Sequence, residues 1–516
     1  MALNTNQHVY SIMIQGTHSD AGKSIITTAL CRIFSEDGLK TAPFKSQNMS
    51  LNSYITVDGR EIGRAQGIQA EAAGIEATTN MNPILIKPTR DQEAQIVVHG
   101  EPIQNMQAFQ YRQDFFETGL RVVKEAYNSL ASEYDCIVLE GAGSPAEVNL
   151  NDREMVNMRV ARIADAPVIL VGDIDKGGVF ASLVGTLQLL KEADRARVVG
   201  VIINKFRGDL SLLQPGLDWF ETYTGIPVLG VVPYLENLEI DGEDSLSLQK
   251  YEGEKEENEL DIAVLSYPRI SNFTDIDPLR LEWDCRVRFV RKPSDLQTPD
   301  ILILPGSKNT IEDLQWLRQQ GFEPYIKEAQ KRGAFIVGIC GGYQMLGQHL
   351  FDPHYVESPN EQVEGLAYLP IETTLTKKKK TIRVTGESFL NAENMIPLEG
   401  YEIHMGETCY TESVQPFAVL NGEQEGCLVK NILGTYLHDV FHNDVFRRTY
   451  LNRIRNQKGL SSIEETMNIK EEKEKQFVRL SSHIRSTVNI NQLYDVMEQY
   501  ANKLKGNEHE KTNEYR

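Results

Sequence analysis

The segment that most restricts this chain lies between residues 12 and 34. The apolar run Ile12-Met13-Ile14 leads into Gly16-Thr17-His18-Ser19-Asp20-Ala21-Gly22-Lys23-Ser24, and a helix-like stretch follows at 25–34. A strand that ends in a glycine turn and passes directly into a helix buries its flanks in a parallel sheet, so the segment predicts an α/β fold. It also predicts an anion site. The turn aims backbone N–H groups and the positive end of the helix dipole at one point, Lys23 adds a charge, and the Ser24 hydroxyl can bind Mg²⁺. Gly16, Thr17, Gly22, Lys23 and Ser24 are therefore candidate ATP-binding residues, with Ser24 doubling as a metal ligand. A strict Walker A loop has four residues between its first Gly and GK[ST]; here residues 17–21 make five.

The rest of the chain extends the same pattern. Short apolar runs at 9–14, 136–139, 167–171, 198–203 and 227–232 alternate with helix-like stretches at 115–132 and 179–193. That alternation reads as βα units around a buried parallel sheet. Residues 241–260 turn acidic and lose their apolar period, the pattern of a linker or surface excursion. A second block follows, with strand-like runs at 262–266, 301–304, 335–339 and 434–437. Beyond about residue 452 the chain is polar and charged, and reads as one or two amphipathic helices with a frayed end. The expectation is two α/β domains, each a mostly parallel sheet flanked by helices. Residues 1–240 form a P-loop ATP-binding domain, 241–260 a linker, 261–452 a second domain and 453–516 a helical tail. The four lysines at 377–380 read as a solvated loop, with an anion patch as the weaker alternative.

Composition narrows the function classes. A chain of 516 residues has room for two or three domains. Its formal charge of −20 disfavours coating DNA or RNA, which needs a positive field. No run reaches the roughly 20 apolar residues of a membrane span. The first residues show no basic and apolar secretion signal, so a cytoplasmic location is expected; homo-oligomerisation is left open. Six cysteines without a CxxC pair exclude a disulfide scaffold and a zinc ribbon.

One cysteine stands apart. Gly338-Ile339-Cys340-Gly341-Gly342-Tyr343-Gln344 reads as strand, sharp turn, helix, a nucleophile elbow in which the helix N-terminus favours the thiolate. The Gly341 N–H is a candidate oxyanion donor, and Gly306, after the strand at 301–304, is the second. A thiol nucleophile needs a base, and His438, which ends Gly434-Thr435-Tyr436-Leu437-His438, is the candidate. In the first block Glu140 closes a strand at the sheet edge where ligands bind, either facing a metal or capping a glycine turn. Asn204 follows another strand, where its amide can read a nucleotide base. Asp173 and Asp175 stand equally as site or turn residues.

With these residues in hand, the long P-loop is similar to the dethiobiotin synthetase branch of ATP-binding proteins. The G-I-C-G-G-Y-Q elbow and G-T-Y-L-H strand resemble class I glutamine amidotransferases. Their combination, with Lys45-Ser46-Gln47-Asn48-Met49-Ser50-Leu51-Asn52-Ser53, Ser271-Asn272-Phe273-Thr274-Asp275 and Tyr401-Glu402-Ile403-His404-Met405-Gly406, resembles the cobyric acid synthase family of cobalamin biosynthesis. The resemblance implies ATP, Mg²⁺ and glutamine as cofactors and nitrogen donor, and a corrinoid polycarboxylate as substrate. It implies that Cys340 attacks the glutamine amide, that His438 moves protons, and that ATP activates a carboxylate for ammonia. Many class I enzymes carry Glu two positions after this His; here Val440 stands there, so a Cys–His dyad with an unnamed orienting group is expected. Asp439 receives no role, and His404 is either functional or a packing residue. Cobyrinic acid a,c-diamide synthase is the nearest rival; an ATP-driven switch with an inactive amidotransferase-like domain is the rival from another class.

Overall fold

The structure, a computed structural model, describes residues 9–90, 92–236, 238, 240, 259–391 and 394–513. Six parallel strands organise the first half, in the order Val228–Pro233, Val198–Phe206, Val168–Asp173, Tyr10–Gly16, Cys136–Glu140, Thr41–Phe44. Tyr10–Gly16 is buried along its whole length, as an unbroken apolar run must be when neighbours cover both faces. Because the strands are parallel, their C-terminal ends share one edge, and the P-loop, Glu140 and Asn204 all leave from it.

The second half repeats the plan. Its order is Cys285–Val290, Leu260–Leu265, Ile301–Leu304, Phe335–Ile339, Ile432–Thr435, Cys427–Val429, parallel except for the last, antiparallel pair. Two mostly parallel α/β sheets are thus present. The expected linker at 241–260 falls largely on residues 241–258, which lie outside the described residues.

Two antiparallel pieces were not foreseen. Ile84–Arg90 pairs with Glu93–Val98, and Ile371–Ser388 pairs with Ile396–Tyr410. Threonine, lysine and glutamate fill the outer faces of the longer pair, so it shows no apolar run. The lysines at 377–380 lie within Ile371–Ser388, beside a register break between Leu375 and Lys380, and not in the solvated loop expected. Lys379 is buried against Glu61 of the first half, 318 positions away. A partner that distant leaves no trace in local spacing.

The helix Asp444–Gln457 runs through position 452, so the expected domain end there falls inside a helix. Its Arg448 and Arg455 meet the buried carboxylate of Asp284, which ties it to the second half. The following helices, Ile469–Thr487 and Ile490–Asn513, fold back onto the first half. Leu480, Ile484, Leu493 and Met497 join the core built by Ile26, Leu30 and Phe34, and Arg485 pairs with Glu36 and Asp37. The tail docks by its apolar stripe, with ion pairs at the rim. No helix among the described residues is long and apolar enough to cross a membrane.

Candidate active site

Two clusters stand at the edges of the two sheets. Around the thiol, strand Phe335–Ile339 ends at Cys340, whose φ of 52° and ψ of −108° lie outside the ordinary region for a side-chain-bearing residue. Such strain persists only where the surroundings enforce it. They do so by close approach: a Cβ on Gly342 would overlap the Leu304 carbonyl oxygen, and one on Gly341 would stand 2.8 Å from the Ser307 nitrogen. The two expected oxyanion loops, at Gly306 and Gly341, are therefore packed together beside the thiol. Cys340 donates to the Ile403 carbonyl at 3.5 Å.

His438 follows the neighbouring parallel strand, since Ile339 pairs with Thr435. Its Nδ1 lies 2.7 Å from Asp275 Oδ2, and both side chains are fully buried. Oδ1 of the same carboxylate accepts the Asp439 N–H at 2.8 Å, and Tyr401 stacks on the imidazole with centroids 5.0 Å apart. The other ring nitrogen, Nε2, is buried without a hydrogen-bond partner among the described residues. Burial works against a charged imidazole here, yet the Asp275 carboxylate and the Cys340 sulfur outweigh it and push His438 up to about 10. The unnamed group expected to orient His438 has a candidate in Asp275, whose carboxylate meets Nδ1. The signal was present in the Ser271–Asp275 segment, but nothing in the sequence tied that segment to His438. Val440, where the Glu of other class I enzymes stands, is core. Asp439 has φ of 62° and faces Arg64 of the first half at 3.9 Å. His404 stacks on Tyr436 at 3.8 Å and lines the Cys340 pocket.

At the other edge, Lys23 donates to the carbonyls of His18, Ser19 and Gly143 at 2.9, 2.8 and 3.3 Å. The lysine thus holds the loop closed on itself. Glu140 is buried and accepts from Ser24 Oγ at 2.8 Å, Lys45 Nζ at 3.0 Å and Gln69 Nε2 at 2.6 Å. Thr17 Oγ1 is buried with no partner among the described residues, a hydroxyl that a phosphate oxygen would satisfy. Asn204 donates through Nδ2 to the Ala21 carbonyl at 3.0 Å, so that part of its amide braces the loop. The residue also lines a cavity of about 290 Å³ together with Gly22, Tyr234 and, from the helix Ile469–Thr487, Gln476 and His483. Asp173 accepts from Lys205 at 2.8 Å, and Lys205 in turn donates to the Asp20 carbonyl; Asp173 is a brace of the loop. Asp175 is exposed and pairs with Arg207. Lys45 and Gln69 were missed because their contact with Glu140 is made only in three dimensions.

Two family models match along the chain. Residues 12–248 match the family described as CobQ/CobB/MinD/ParA nucleotide binding domain, and residues 261–446 match the CobB/CobQ-like glutamine amidotransferase domain. The chain is 59% identical over 490 residues to a protein of Geobacillus sp. (strain WCH70) named cobyric acid synthase, covering 94% of this chain and 97% of that one. A protein of the same name from Anoxybacillus flavithermus (strain DSM 21510 / WK1) is 58% identical, covering 93% and 95%. One from Listeria innocua serovar 6a (strain ATCC BAA-680 / CLIP 11262) is 49% identical, covering 95% and 97%.

Proposed function

The chain belongs to the cobyric acid synthase family, and from that premise we propose that it amidates the b, d, e and g carboxylates of adenosylcobyrinic acid a,c-diamide, using ATP and glutamine. The observation that carries the reading is the pairing of the Asp275–His438–Cys340 constellation with a P-loop in one chain.

In this reading the Cys340 sulfur attacks the glutamine amide carbon, and the developing oxyanion is met by the N–H groups of Gly341 and Gly306. The His438 imidazolium, held by Asp275, protonates the departing ammonia, and water then frees glutamate from the thioester. At the other edge Lys23 orients the ATP phosphates, so that a corrinoid carboxylate takes the γ-phosphoryl group and becomes an acyl phosphate. Ammonia displaces phosphate from it. Ser24 and Glu140 offer adjacent oxygen donors of the kind Mg²⁺ takes beside phosphate. The metal would supply charge neutralisation of the transferring group.

Glutamine recognition rests on the pocket beside Cys340, which also holds Lys308, Lys379, Glu357 and, from the first half, Lys87. Burial pushes the Glu357 carboxyl up and pulls the Lys308 ammonium down. A zwitterion complements such a pair: its α-ammonium suits Glu357 and its α-carboxylate suits Lys308. Glu357→Gln is expected to raise the KM for glutamine about tenfold or more, with the ammonium-driven rate unchanged. An unchanged glutamine KM removes Glu357 from recognition.

The decisive test is mass spectrometry of the a,c-diamide after incubation with protein, ATP, Mg²⁺ and glutamine. Conversion of the b, d, e and g carboxyls to amides is expected. No conversion there, with amidation of a and c on cobyrinic acid instead, identifies the rival a,c-diamide synthase.

A further inference from the structure

The P-loop is flanked by two cavities, and they differ in kind. One, of about 290 Å³, opens beside Gly22 and Asn204. The other, of about 630 Å³, borders Gly143 and Ser144. Gly143 is the residue whose carbonyl accepts from Lys23, so this larger cavity begins where the terminal phosphate of ATP would lie. Its walls are largely apolar, with Ile86, Pro88, Ala94, Met106 and Phe116 among them.

The hairpin of Ile84–Arg90 and Glu93–Val98 separates this cavity from the thiol pocket. Side chains alternate across a strand, and the alternation here divides two sites. Ile86 and Pro88 face the cavity, whereas Lys87 between them lines the pocket of Cys340. On the partner strand Ala94 and Ile96 face the cavity, whereas Gln95 accepts from Lys308 at 3.2 Å. One thin wall thus has a charged face toward the ammonia-releasing site and an apolar face toward the site of phosphoryl transfer.

We propose that the 630 Å³ cavity behind this hairpin is the binding site of the corrin macrocycle, with the ring against Ile86, Pro88, Ala94 and Met49 and a peripheral carboxylate turned toward Gly143. The proposal rests on the amidation reading above. A corrin is a broad ring with apolar faces and a carboxylate rim, and acyl phosphate formation requires one rim carboxylate to reach the ATP terminus. A volume of this size falls in the range of small-molecule sites, and the cavity meets both requirements at once.

The test is equilibrium dialysis of the full-length protein against dicyanocobyrinic acid a,c-diamide, read by its visible absorbance. Ala94→Trp fills the cavity from its strand wall and is expected to weaken binding at least about tenfold. Met49→Glu places a carboxylate at the rim and is expected to weaken binding about fivefold or more. Met49 is 59% exposed, so this variant remains informative if Ala94→Trp fails to fold. Melting temperature and MgATP affinity report on folding in both. Wild-type binding that survives in the folded variants overturns the placement and leaves the amidation reading intact. Absence of binding to the wild-type protein overturns the amidation reading, and the placement with it.

Discussion

Cys340→Ala is expected to abolish amidation driven by glutamine while leaving amidation driven by added ammonium. The thiol sits at a strained turn beside His438, with loops carrying Gly306 and Gly341 packed against it. No second thiol lines that pocket among the described residues: its neighbours are lysines, Glu357, His404, amides, hydroxyls and the apolar Leu375, Ile403 and Met405. Removing the nucleophile of a comparable hydrolytic site costs up to about 10⁶-fold in kcat, so the residual glutamine-driven rate should be undetectable. The P-loop lies on a different sheet, and its chemistry needs only ammonia, whatever the source. Parallel assays with glutamine and with an ammonium salt make the check. Loss of both activities in a protein that melts normally would falsify the two-site reading.

Asp275→Asn is expected to lower glutaminase kcat by about 10³- to 10⁴-fold, in line with the loss when a buried orienting carboxylate beside a catalytic imidazole becomes an amide. The carboxylate accepts from His438 Nδ1 and from the Asp439 N–H. An amide keeps the volume but removes the charge that holds the ring protonated. Burial alone lowers the imidazole's proton affinity, and Asp275 is the main counterweight. The variant's glutamine-driven rate should therefore fall as pH rises through neutrality, where the wild type keeps its imidazolium. The sign for stability follows as well. His438 is raised from 6.5 to about 10, so its contribution is complete below pH 6.5 and is lost as pH climbs through 10. Wild-type stability should decline across that window, and Asp275→Asn should flatten the decline. Denaturation midpoints at pH 6, 8 and 10 measure it. An Asn variant with wild-type kcat and an unchanged pH profile demotes Asp275 to a packing residue.

Much of this site was legible because its chemistry is local. A P-loop and a nucleophile elbow each require a strand, a tight turn and a helix start within some ten residues, and the glycines that permit such turns are fixed by sterics. Lys23, Ser24 and Cys340 could therefore be read directly. His438 was legible only through its pairing with the elbow. Asp275 was not: it reaches the imidazole across 163 positions, and the short strand before it, Ile270–Ser271, pairs with Gly306–Ser307 by two residues only. The lysines at 377–380 show the converse error at one position: Lys377, Lys378 and Lys380 are exposed, whereas Lys379 is not. Their run reads as solvated because charge normally is, and only the buried Glu61 on the facing half makes Lys379 an interior residue.

By itself, then, the sequence determined that two parallel sheets would carry a phosphate loop and a thiol elbow, because apolar period and glycine placement are properties of short windows. Tertiary structure alone decided what joins them. It set Asp275 behind His438, docked the tail onto the first core, and stood a two-stranded wall between the thiol pocket and a large apolar cavity. Those relations depend on desolvation and on charge meeting charge between segments far apart in the sequence, and a chain acquires them only when those segments fold against one another.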